Sequence, residues 1–154
     1  MITRERLMHS DYGKGLLALY DRLVPYKVKD WGNDDSDDKD NNRPGDREEV
    51  PIVEAANVIT SLHREEDLLD EARHALVLDI DHPSWLMPST TPGHYHLYVD
   101  VPGGIPSTEY YLLLTALANA RVIEAGYAGA SAARGFTSVR LPWVAKEKGP
   151  KQHD

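Results

Sequence analysis

Two aspartates and two histidines fall within one short stretch, His74 to Pro102, which reads HALVLDIDHPSWLMPSTTPGHYHLYVDVP. Asp79 and Asp81 form a D-x-D pair. On a strand, that spacing presents two carboxylates from one side with little mutual freedom. Hard divalent cations such as Mg²⁺ or Mn²⁺ use such a pair when they clamp a nucleoside triphosphate. His94 and His96 follow Gly93, a residue that lets backbone approach a ligand closely. Imidazoles in such a place can hold metal, phosphate or a proton. Each feature alone has a plain explanation: strand ends often carry solvated aspartates, and a single strand histidine is usually an ordinary surface residue. The expectation of a site rests on their occurring together.

Two strands are expected to position these groups. Ala75 to Asp81 is an apolar, β-branched run that predicts a buried strand, and His94 to Val101 alternates polar with apolar as a second strand would. Side chains alternate across a strand, so Asp79 and Asp81 would share a side with Val77, opposite Leu76, Leu78 and Ile80. On the second strand His94, His96, Tyr98 and Asp100 would share a face. The connection from His82 to Gly93 is rich in Pro, Ser and Thr, which predicts a loop that lets the two strands pair antiparallel.

The flanking sequence predicts mostly helices. Leu16, Leu19, Tyr20 and Leu23 are spaced as on a helix over Ser10 to Val24, with Ser10 as N-cap and Pro25 as the stop. Tyr26 to Trp31 alternates weakly, as a short edge strand or connector would. Residues 33–49 are acidic, nearly free of apolar side chains and broken by Pro44-Gly45, which predicts a flexible, solvated loop. Asp34, Ser36, Asp38 and Asp40 alternate there, but the glycine and distal glutamate of an EF-hand are missing. From Val50 to Arg73 the pattern is helical, with one stripe at Ile52, Val53, Ala56 and Ile59 and another at Leu68, Leu69 and Ala72 after the charged Arg64-Glu65-Glu66. Ile105 to Ala120 predicts a helix capped by Ser107 or Thr108, with Tyr110, Leu113, Leu114 and Leu117 on one face. Beyond Val122 the sequence is rich in Gly and Ala, with turns expected at Gly126 and Gly129 and a strand at Thr137 to Leu141. Residues 146–154 form a basic tail. This order of elements predicts an α+β fold, a mostly antiparallel sheet with flanking helices.

Composition narrows the function classes. With 154 residues, 41% of them hydrophobic, the chain has length enough for one core and is expected to form a single domain. Cysteine is absent, which disfavours a disulfide scaffold and excludes cysteine-ligated zinc. The N-terminus MITRERLMHS has no apolar signal core, and no apolar run approaches the roughly 20 residues that span a bilayer. A cytoplasmic protein without membrane contact is expected, in the host cell if the chain is phage-encoded. A net charge of −8 argues against coating duplex DNA by bulk electrostatics. Contact with nucleic acid would have to be local, through a basic patch or through metal ions that bridge carboxylates to phosphates.

LDID, then PSWLMPSTTPGHYHLY, then VRLPWVAKEKG, together resemble the signature of the archaeo-eukaryotic primase and primase-polymerase superfamily, most nearly its plasmid and phage replicase branch. The resemblance spans about Ala75 to Lys148, with three short motifs in the family order. It implies a palm-like, RRM-like core and nucleotidyl transfer in DNA replication, with a nucleoside triphosphate or DNA as partner. It further implies that Asp79 and Asp81 bind catalytic Mg²⁺ or Mn²⁺ and that His96 joins them in catalysis. Gly93, His94 and His96, matching a G-H-x-H segment, and Arg140, in an R-L-P segment, would contact the nucleotide. The family's third carboxylate has no counterpart in Gly129 to Gly135, and Asp100 falls on the histidine strand. A two-metal site without it would be under-coordinated.

Two other readings use the same letters. His94-Tyr95-His96 also resembles the His-hydrophobic-His pattern of rolling-circle nickases and relaxases, where Tyr110 or Tyr111 would be the nucleophile. Tyr110 also lies on an apolar helical stripe, where aromatics usually pack in the core. The third reading is a non-catalytic phage regulator or adaptor that binds a replication or host protein, with Trp31, Trp85 and Trp143 as interface anchors. Trp85 could alternatively stack on a base.

Overall fold

Ser10 starts the first long helix, as its residue type predicts. Its Oγ accepts a hydrogen bond from the Gly13 amide at 2.9 Å, and α2 runs Asp11–Asp21. A short helix α1, Arg4–Met8, precedes it, capped by the Thr3 side chain. Gly13 is buried because the Leu7 backbone of α1 occupies the space a Cβ would need. The computed structural model describes residues 1–28, 47–64 and 71–147. Most of the acidic 33–49 segment, Trp31, the Leu68-Leu69 stripe and nearly all of the basic tail lie outside these residues. The chain is α+β with antiparallel sheets, and it divides into two compact units, Met1–Leu78 and Asp79–Asp154.

In the first unit α2 ends at Asp21, before Pro25, and the chain passes directly into strand β1, Leu23–Val28. β1 is the centre of a three-stranded antiparallel sheet, flanked by β2, Arg47–Glu49, and β3, Val58–His63. Pro25 thus sits in a central strand rather than stopping a helix. A proline cannot donate to a ladder. Here the β1–β3 register shifts between Leu23 and Pro25, and the Pro25 carbonyl accepts from the Val50 amide at 3.2 Å. The structure also corrects the first part of the helical pattern expected from Val50: apart from one 3₁₀ turn at Val53–Ala55, residues 50–64 contribute β3, whose Val58, Ile59 and Thr60 are β-branched.

Polar side chains fasten this sheet. Asn57 reads Val28 twice, accepting from its amide at 2.8 Å and donating to its carbonyl at 3.0 Å. Thr60 donates to the Val24 carbonyl at 2.8 Å, and Arg64 donates to the carbonyls of Leu23 and Pro51. Beneath them Leu23, Val24, Pro25, Val28 and Val50 form the buried core.

In the second unit strand β4, Ser84–Pro88, pairs antiparallel with β5, Tyr95–Val99. Its helices are α3, Ser107–Asn119, and α4, Ala125–Arg134, which pack on each other. α3 forms within the span expected for it but starts at Ser107 rather than Ile105, and its N-cap is Pro106, without a side-chain cap, rather than Ser107 or Thr108. Its most buried residue is Leu114, with Tyr110, Tyr111 and Leu117 half-buried beside it, while Leu113 faces out. α4 replaces the turns expected at Gly126 and Gly129. Alanine is the strongest helix former, and the helix holds despite two glycines until Gly135 ends it at φ 91°. Among the described residues no helix is long and apolar enough to cross a membrane.

Candidate functional site

The residues of the D-x-D motif are placed differently from expectation. Residues 75–81 form no strand, and Asp79 and Asp81 are exposed. An apolar β-branched run supplies strand propensity, but a strand exists only where a neighbour completes its hydrogen bonds. β5 finds its partner in Ser84–Pro88, which the sequence assigned to the loop. The shared strand face expected for the two aspartates is therefore not set by a sheet.

The histidine strand forms, one residue shorter at its start than predicted and two shorter at its end. His96 is half-buried and lies opposite Met87, while Tyr98 lies opposite Trp85, so these four side chains share a face of the hairpin. His94 and Asp100 flank the strand. His94 belongs to the connecting turn, donating its amide to the Thr91 carbonyl at 3.2 Å and accepting from the Ser89 amide at 2.8 Å. Gly93 takes φ 79° in that turn, a left-handed conformation that glycine adopts without strain. The Asp100 amide donates to the Pro83 carbonyl at 2.9 Å.

Among the described residues no group of three or more His, Cys, Asp or Glu side chains is arranged to hold a metal ion. Mg²⁺ takes about six oxygen ligands, and Asp79 and Asp81 alone do not complete such a shell. The residues present do not fit a protein-built two-metal centre. A cation at Asp79 and Asp81 would need its remaining ligands from water or from the phosphates it accompanies.

Arg140 lies in a segment without regular structure, not in the strand expected at Thr137 to Leu141. Its side chain is half-buried, and Nη1 is buried with no hydrogen-bond partner. A guanidinium has only donors to offer. Leaving a buried donor unmatched costs about 1–3 kcal/mol, and more for a charged group.

The tyrosines of α3 face the segment that follows α4. The Tyr110 hydroxyl and Thr137 Oγ1 lie 2.7 Å apart, a hydrogen bond that fastens residue 137 to α3. No hydrogen bond joins Tyr110 or Tyr111 to His94 or His96 among the described residues. Both tyrosines line an open cleft of about 450 Å³, together with Asp100, Ser107 and Phe136. Sequence reasoning missed Phe136 and Thr137. The available signal was the chain's single phenylalanine directly after a glycine, which here is the αL residue that turns the chain back toward α3.

Comparison with known proteins finds no matching family model, no matching curated protein and no matching solved structure.

Proposed function

We propose that the second unit is a nucleotide-binding module of primase-polymerase type, which takes a nucleoside triphosphate accompanied by Mg²⁺ or Mn²⁺. The observation that carries this reading is Arg140, whose half-buried guanidinium makes no hydrogen bond to another described residue. The side chain is only half-buried, and a phosphate oxygen could pair with the accessible part of its guanidinium, whose planar fork matches phosphate geometry. Asp79 and Asp81 are exposed to solvent, where they can reach a cation carried by the triphosphate. All three motifs that resemble the primase-polymerase pattern lie in Asp79–Asp154 apart from the leucine that opens LDID.

The test is titration of a nucleoside triphosphate with Mn²⁺ into wild type, Arg140→Ala and Asp79→Ala/Asp81→Ala. The expected loss for Arg140→Ala is about tenfold or more, the cost of one charge-assisted hydrogen bond. The double aspartate variant should lose the Mn²⁺-dependent part of the affinity. Equal binding by all three proteins, or binding by none, contradicts the reading.

A second reading, an adaptor that binds another protein, draws on a separate observation. Leu86 and Leu97 on one face of the hairpin, Trp85 on the other, and Trp143 are all exposed. Leu86 and Leu97 lie opposite each other on one face, and adjacent exposed apolar side chains of this kind suit a protein contact. Specific capture of a replication protein by a chain that binds no nucleotide would favour this reading.

A further inference from the structure

We infer that the cleft beside α3 holds the nucleoside half of the ligand, with an amine-bearing base stacked on Phe136 and donating to the Asp100 carboxylate. This rests on the nucleotide-binding reading and names the part of the ligand that the cleft takes. The cleft wall carries one charged side chain, Asp100, and no Lys, Arg or His. With Asp100 as its single charge the wall disfavours a phosphate, whereas a neutral group rich in N–H and O–H donors would meet an acceptor. The Asp100 carboxylate and the hydroxyls of Ser107 and Tyr111 make no hydrogen bond to other described residues, so all three are free to bind a ligand. The Tyr110 and Thr137 hydroxyls are already matched to each other and hold the wall in place.

Phe136 supplies the planar surface. Although it lines the cleft, it is 58% exposed, and the Arg134 guanidinium lies 5.8 Å from its ring centroid. An exposed aromatic ring costs solvation in the free protein and gains by stacking, and every base has a π face to offer. At about 450 Å³ the cleft falls in the range of small-molecule sites. Cytosine, adenine and guanine each carry an exocyclic amine that can donate to a carboxylate, and thymine carries none.

The experiment uses nucleosides without phosphate or metal, titrated into the full chain by calorimetry or saturation-transfer NMR. Wild type should bind cytidine more tightly than thymidine. Phe136→Ala should weaken all nucleosides about tenfold, as loss of one stacked base predicts. Phe136→Tyr should preserve binding. Asp100→Asn should abolish the preference for cytidine, since an amide presents both a donor and an acceptor. Absence of nucleoside binding overturns the inference even if triphosphate binding survives, and so does binding that Phe136→Ala leaves unchanged. Triphosphate affinity that does not depend on Arg140, alongside intact nucleoside binding, would overturn the phosphate reading alone.

Discussion

The two units of the chain invest their apolar residues differently. In Met1–Leu78 the central strand β1 is sealed, with Leu23 fully buried and Val24, Val28 and Val50 close to it. In Asp79–Asp154 only Leu114 and Ser131 are buried among the described residues, while Leu97 is 56% exposed. Polar side chains follow the same division. Asn57, Thr60 and Arg64 are committed to backbone partners in the first unit, whereas the side chains of Asp79, Asp81, Asp100 and Arg140 make no hydrogen bond to another described residue in the second. Residues that hold a fold satisfy one another, and residues that await a ligand keep donors and acceptors unmatched. Among the described residues, the first unit is the more closely packed around its central strand.

Substitutions can break or sharpen this contrast. The largest effect is expected in the first unit, where Leu23→Ala should cost about 2–5 kcal/mol in denaturant unfolding, the range for a fully buried leucine. Next comes Gly13→Ala, which forces a Cβ into the Leu7 backbone, so α1 must shift at a cost of about 1–3 kcal/mol. Gly135→Ala in the second unit should cost about 1 kcal/mol, because φ 91° strains any residue with a Cβ. The smallest effects belong to exposed positions of the second unit. Leu97→Ser should change stability by less than about 0.5 kcal/mol, and Asp79→Asn/Asp81→Asn should leave the unfolding midpoint unchanged. A large loss from Leu97→Ser, or a change of oligomeric state, would mean that the hairpin face is covered in solution. Amide hydrogen exchange gives a second view: β1 amides should be protected far longer than those of β4 and β5.

Much of what is local was legible in the sequence. Ser10 capped its helix because an N-cap is decided within four residues, and the helix at Ser107–Asn119 followed from its spacing of apolar residues. β5 was legible from its alternation. What failed was pairing, which is not local. Ile52, Val53, Ala56 and Ile59 fit a helical stripe, yet Ile59 pairs with Pro25, far away in sequence. Pro25 looked like a helix stop, and only the register shift beside it makes room for a proline inside β1. Asp79 and Asp81 were identified as candidates by type and spacing, but the run meant to carry them touches β3 only at its start, where the Ala75 amide donates to the Ser61 carbonyl, and forms no strand beyond it. Arg140 was legible only through resemblance, and its orphaned Nη1 emerged from burial that no sequence pattern encodes.

The central proposal is that the second unit recognises phosphate through Arg140, and the most direct measurement is a phosphate ladder. Affinities for a nucleoside and its mono-, di- and triphosphate are compared in wild type and Arg140→Ala at one fixed ionic strength, because phosphate binding is salt-sensitive. The expected result is affinity that rises with the phosphate chain in wild type and a ladder that flattens in Arg140→Ala. A ladder that is flat in wild type, or equally steep in both proteins, contradicts the proposal.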